Sequence, residues 1–177
     1  MNRRLSQLLE FTVDSLGSHR WVLAIAVGCV ACGGEGVWES PVSFGDGVVS
    51  IIIGSDSTLI PVEVAETDQQ RSFGLMQRSV LEADRGMIFL YPTVQDTTRG
   101  FWMFQTRIPL DIAFVDSAGV IVSIREMDPC ESTDPQWCPI YLPGARYIQA
   151  LEVNRGFFTT HGIGVGDAVR ISRDGQR

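Results

Sequence analysis

Ile108-Pro-Leu-Asp-Ile-Ala-Phe-Val-Asp-Ser-Ala-Gly-Val-Ile-Val-Ser-Ile124 decides how this chain is to be read. Two β-branched, apolar runs, 111–115 and 120–124, flank Asp116-Ser117-Ala118-Gly119. Asp and Gly supply turn geometry, so the stretch predicts an antiparallel hairpin. Similar short runs lie on both sides: 48–53, 59–64, 86–90, 147–153 and 168–171. Pro61 within the second of these lacks an N–H and predicts an edge position or a strand start.

Helix signals are sparse. Thr67 followed by Gln70 is a capping-box pattern opening a short helix that Gly74 limits. A second short helix is predicted from about Asn154 to His161, closed by Gly162. No internal repeat is present. Many short strands with few helices predict an all-β fold: a compact antiparallel β-sandwich or jelly-roll-like barrel with one or two short helices.

The N-terminal region differs. Arg3, Arg4 and Arg20 precede the apolar run Trp21-Val-Leu-Ala-Ile-Ala-Val-Gly28. That run is too short for a membrane span of about 20 residues and fits the apolar region of a signal peptide. The stretch before it holds Glu10 and Asp14, a length compatible with a start codon downstream of Met1. Residues 1–32 are therefore expected to form a signal peptide with a lipoprotein-like cysteine. Ala26-Val27-Gly28 before Cys29 resembles a lipidation box, and Cys32 competes because using it leaves no unpaired cysteine in the mature chain. Residues 33–46, with Gly33, Gly34, Gly36 and Gly45, read as a flexible tether to a single β domain over 47–174. Export favours a disulfide between Cys130 and Cys138, which enclose a short polar loop.

Composition excludes several chemistries. All 14 basic residues are Arg, so Schiff-base lysines, pyridoxal-phosphate anchors and P-loop lysines are out. Beyond the apolar run only His161 remains, so His-rich metal sites are out, and neither a metal nor a cofactor is expected. A net charge of −7 argues against nucleic acid as partner. The expected partners are a membrane, through the lipid anchor, and a small ligand or envelope component.

The motifs within the β domain carry a resemblance. Arg71-Ser-Phe-Gly-Leu-Met-Gln-Arg78 is similar to a Gly-Leu-Met-x-Arg signature, and Gly86-Met-Ile-Phe89 follows it. Phe101-Trp-Met-Phe-Gln-Thr-Arg-Ile-Pro-Leu-Asp111 is similar to a Phe-Trp-Met-x-Asn-Thr-x-Ile-Pro-Leu-Asp signature. Leu151-Glu-Val-Asn-x-Gly156 and Gly162-Ile-x-Val-Gly-Asp167 complete the set. In this order and spacing, residues 58–172 resemble the prokaryotic domain of unknown function 192 family. Gln105 stands where that pattern usually has Asn, and Phe104 where it often has Lys. The resemblance implies a compact β-sandwich or jelly-roll-like domain and no particular reaction.

Six residues are candidates for a ligand site: Arg71, Trp102, Gln105, Thr106, Asp111 and Glu152. Asp111 and Glu152 are acids inside apolar strands, where a charge needs a partner or is neutralised. For Asp111 that partner is backbone N–H or an Arg among Arg71, Arg99 and Arg107. Alternation pairs Trp102 with Thr106 and Phe101 with Gln105, an aromatic platform beside a polar head. Gly74, Gly86, Gly156 and Gly162 are expected to serve backbone geometry. The leading expectation is an exported binding module for a small polar ligand, glycan or envelope component. One alternative is a hydrolytic enzyme using Asp111 or Glu152, in the extreme as an acid/base pair. Another is a structural or assembly protein of the envelope with an exposed apolar patch.

Overall fold

A computed structural model describes residues 40–173. The signal-peptide and lipidation expectations, and most of the tether, lie outside these residues. Among them the chain forms nine strands: β1 (Gly45–Ile53), β2 (Asp56–Ala65), β3 (Gly86–Gln95), β4 (Phe101–Trp102), β5 (Leu110–Val115), β6 (Ile121–Met127), β7 (Ile140–Tyr141), β8 (Tyr147–Asn154) and β9 (Ala168–Arg173). Two short helices accompany them, α1 (Asp68–Phe73) and α2 (Phe157–Thr160). The fold is all-β. Seven strands make one sheet in the order β6-β5-β8-β3-β2-β1-β9, and β4 pairs with β7 beside it.

The predicted hairpin forms as β5–β6. Asp116 Oδ1 accepts from the amides of Ala118 (2.9 Å) and Val120 (3.0 Å), and Gly119 turns the chain at φ +78°. The Thr67–Gln70 capping box also forms and starts α1. The second helix is shorter than predicted, because Gly156 occupies the left-handed region and helix begins only after it. The sheet is mixed rather than purely antiparallel, since β2 and β3 run parallel. The reason is the connection over residues 66–85: carrying α1, it is long enough to return the chain to the same end of the sheet. Pro61 lies inside β2, opposite Val48 of β1, yet β3 pairs only from Val62 onward. Its missing N–H therefore meets no strand on the β3 side.

Alternation divides the apolar residues between the two faces. On β5, Ala113 and Val115 join Ile51, Ile60, Leu151 and Val153 in one cluster, covered by Phe157, Phe158 and Ile163. Leu110, Ile112 and Phe114 point the other way, joining Met87, Phe89, Phe101, Met103 and Leu75 in a second. The sheet coils without closing into a barrel. Its two edges touch at one corner, where Val120 bridges Ala168. There Ile121 N donates to Asp167 O (2.9 Å) and Val169 N to Gly119 O (2.7 Å).

Candidate functional site

The second face carries the cavity. Glu152 of β8 sits between Met87 of β3 and Ile112 of β5, its register neighbours on either side. Both are apolar, and Glu152 is 5% exposed. Its side chain forms no hydrogen bond or ion pair with any described residue. Two strands away in the same row, Glu63 is satisfied by Arg78, whose Nη1 lies 2.8 Å from Oε1. Glu152 instead lines a cavity of about 250 Å³. Burial alone pushes its carboxyl up to about 8, so at neutral pH it is mostly protonated.

The cavity wall comes from three segments. The first is α1 with the turn after it, supplying Arg71, Ser72, Leu75 and Met76. Gly74 makes that turn possible. Its φ is +51°, and a Cβ there would stand 3.2 Å from the Phe89 ring. The second is β3, whose alternation presents Phe89 and Tyr91. The third is 100–106, supplying Phe101, Trp102 and Thr106. Phe101 is fixed edge-on against Phe89 (4.9 Å) and Phe114 (5.6 Å). Trp102 is 42% exposed at the rim and stacks on Phe104 at 4.9 Å.

The disulfide Cys130–Cys138 forms, with Cα atoms 5.7 Å apart. It braces this wall rather than the sheet. Cys130 N donates to Thr106 O (2.9 Å), and β7, just past Cys138, pairs Ile140 with Trp102 and Tyr141 with Phe101.

Four of the six candidates therefore surround one cavity: Arg71, Trp102, Thr106 and Glu152. Arg71 has little guanidinium left to offer. Its Nη1 donates to Leu90 O (2.7 Å) and to Glu66 O, its Nη2 pairs with Asp68, and the group lies 5.1 Å over the Tyr91 ring.

Asp111 and Gln105 lie elsewhere. Asp111 opposes Val153 in register, one position from Glu152, so alternation sends it through to the opposite face. There it is 3% exposed, and Oδ2 accepts from Gly156 N at 2.8 Å. Burial pushes its carboxyl above the usual range, opposed chiefly by that Gly156 amide. It does not meet Arg71, and the sheet separates it from Glu152, so the two cannot act as an acid/base pair. Gln105 occupies the left-handed region at φ +53°, as Gln77 does at +64°. The two are tied by Gln77 N to Gln105 O (2.8 Å) and by their side chains (3.1 Å). The left-handed region favours Asn among non-glycine residues, so the family's usual Asn suits backbone geometry at this position.

Sequence reasoning passed over Phe89 and Tyr91. Extending the Met87-Phe89 alternation by two residues finds Tyr91, which aligns with neither signature.

The chemistry available is a single protonatable carboxyl flanked by apolar strand neighbours, in a lining that includes four aromatic side chains on strands β3 and β4, Phe89, Tyr91, Phe101 and Trp102. Comparison with known proteins adds fold and family. A solved structure from Sinorhizobium meliloti 1021, described as a "putative transcription regulator", is 28% identical, with a TM-score of 0.64, covering 74% of this chain and 97% of that one. A protein of unknown function from Novosphingobium aromaticivorans DSM 12444 is 30% identical, with a TM-score of 0.62, covering 74% and 89%. A search of curated proteins returned no match. The model of the DUF192 family, described as "Uncharacterized ACR", matches residues 50–171, spanning both signature segments and the cavity they build. The chain belongs to the DUF192 family.

Proposed function

We propose that this domain is a binding module that holds a small polar ligand in the cavity over Glu152. The observation that carries it is a buried carboxyl without a protein partner, facing an open space. The Glu152 carboxyl opens onto the cavity, where a hydrogen bond to a ligand typically contributes about 0.5–1.5 kcal/mol, and more if the group is charged. A cavity of about 250 Å³ falls just below the 300–1,000 Å³ typical of drug-sized ligands, which sets the ligand's size. Aromatic walls and one well-placed polar group match the usual anatomy of such sites.

The test is an amide-resolved NMR titration against a mixed library of amines, alcohols, sugars and acids. Shifts should gather at Tyr91, Trp102, Thr106 and Glu152 and leave Ala113 and Leu151 unmoved. A library that moves none of these four refutes the binding reading.

We also place the domain outside the cytoplasm, anchored through lipid on Cys29 or Cys32. The Cys130–Cys138 disulfide supports that compartment. Mass spectrometry of the native N-terminus tests the anchor, and an intact Met1 in a cytosolic fraction contradicts it. A net charge of −7 weighs against carrying the regulator description of the Sinorhizobium chain over to nucleic-acid binding here.

A further inference from the structure

Building on the binding reading, we propose that the cavity is selective for small organic cations, with a primary or secondary ammonium seated on the Glu152 carboxylate and its carbon skeleton against Phe89, Tyr91, Phe101 and Trp102.

The lining decides the sign of the ligand's charge. Glu152 is the acid on the floor, 5% exposed and unpartnered. An anionic ligand would need a cation facing it. Arg71 is the cationic residue of the lining, and its nitrogens are already held by Asp68, Glu66 O and Leu90 O. Its side chain is 12% exposed. The chain has no Lys to supply an ammonium of its own. A divalent metal would require six or more oxygen ligands, or several His and Cys. Among the described residues no group of three such side chains converges. An organic cation needs one carboxylate and aromatic side chains, and the lining supplies Glu152 with Phe89, Tyr91, Phe101 and Trp102. Aromatic rings attract a cation within about 6 Å of their centres.

Binding then moves one proton. At neutral pH the Glu152 carboxyl is largely protonated. An ammonium favours its carboxylate, so the O–H bond breaks and the proton passes to solvent as the ion pair forms. Other ionisable groups face this side. They are Arg71 on α1, Arg99 before β4, and Arg78, which pairs with Glu63 of β2. Tyr91 on β3 and Tyr147 on β8 are pushed up by burial and stay neutral. From β5 the neighbour is Ile112, which has no charge. Affinity for an amine should thus rise up to about tenfold per pH unit below pH 8, the slope of a single linked proton.

Isothermal titration calorimetry of the full chain tests this with benzylamine, ethanolamine, glucosamine and putrescine, each against its alcohol counterpart (benzyl alcohol, ethylene glycol, glucose and 1,4-butanediol). At least one amine should bind tenfold or more tighter than its counterpart at pH 7.5. Its affinity should be severalfold weaker at pH 6.5. Titrations in two buffers of different ionisation heat should show close to one proton released per ligand at pH 6.5. Glu152→Gln should fold with an unchanged circular dichroism spectrum and lose both the amine preference and the proton release. Failure of all four amines overturns the proposal, as does equal binding of the alcohols or preference retained in Glu152→Gln. If neutral or acidic compounds nonetheless shift the cavity amides in the NMR library, the binding reading survives and only the cation selectivity falls.

Discussion

The two faces of the sheet treat a buried acid in opposite ways. Asp111 and Glu152 occupy adjoining strands one register step apart, and both are under a tenth exposed. On the first face, the chain folds back over Asp111 and gives it the Gly156 amide, under a lid made by Phe157, Phe158 and Ile163. On the second face, the cover is assembled from α1, its following turn and β4, which leave a gap above Glu152. A backbone amide takes Oδ2 of Asp111 at the moment of folding, leaving only the buried Oδ1 without a partner. The Glu152 carboxyl has no such amide and opens onto the cavity. Apolar surroundings and burial are shared, so it is the cover, not the strand, that separates a structural acid from a candidate site.

The largest effect should come from cutting into the core beneath the second face. Phe114 is fully buried and packs edge-on to Phe101 and Tyr147. Phe114→Ala should cost about 3–5 kcal/mol in urea denaturation. A loss under 1 kcal/mol would mean that the face is plastic and the cavity not preformed.

Next comes the pH dependence of stability. The Glu152 carboxyl lies at about 8 folded, above its ordinary unfolded value near 4.5. Between these values the folded state holds a proton that the unfolded state has released. Stability is therefore greatest below pH 4.5 with respect to this group, and it falls as pH rises to 8. The fall by pH 8 should amount to about 4 kcal/mol, the order set by linkage. Asp111, raised in the same direction, adds a smaller fall. In Glu152→Gln most of the slope should vanish, so that variant should melt higher than the parent at pH 8. Parallel melting curves for the two proteins from pH 5 to 8 would show that Glu152 is better solvated or partnered than its setting suggests.

The seven strands of the main sheet and the α1 cap follow from alternation and capping chemistry, both local. Alternation also sorts Asp111 with Ala113 and away from Leu110, Ile112 and Phe114, as the structure shows. It could not place Asp111 relative to Glu152, because that needs the pairing of β5 with β8 across some forty residues of chain. Strands β4 and β7 escaped notice because two-residue strands have no period to detect. Gln105 read as a ligand because a polar residue beside Trp102 suggests a site. Its left-handed backbone, a tertiary consequence, accounts for it instead. The mixed sheet escaped too, since strand signals do not reveal direction.

A third test addresses the wall of the open face. Replacing Cys130 and Cys138 together by Ser should cost about 2–3 kcal/mol, the entropic value for so short a loop. The more telling readout is local. Hydrogen exchange should quicken at Phe101, Trp102 and Thr106 while β5 and β8 stay protected. Uniform quickening would show that the bridge holds the whole sheet rather than the wall.

The smallest effect belongs to the closed face. Asp111→Ala strands the Gly156 amide and should cost about 1–3 kcal/mol. Asp111→Asn keeps an acceptor and should cost less. Neither should alter ligand binding at the cavity. An Asp111→Asn variant as stable as the parent but unable to bind would reverse the roles assigned to the two acids.

The corner where Val120 meets Ala168 bears on how these molecules behave toward one another. A sheet with free edges invites a foreign strand to add on. Here the start of β6 and the start of β9 are occupied by each other, through the bonds at Ile121 and Val169. Further along, β6 carries exposed Arg125 and Glu126, and β9 carries exposed Arg170. Two copies meeting through β9 would bring arginine against arginine. A strand adding along the starts of β6 and β9 must therefore first break the molecule's own corner.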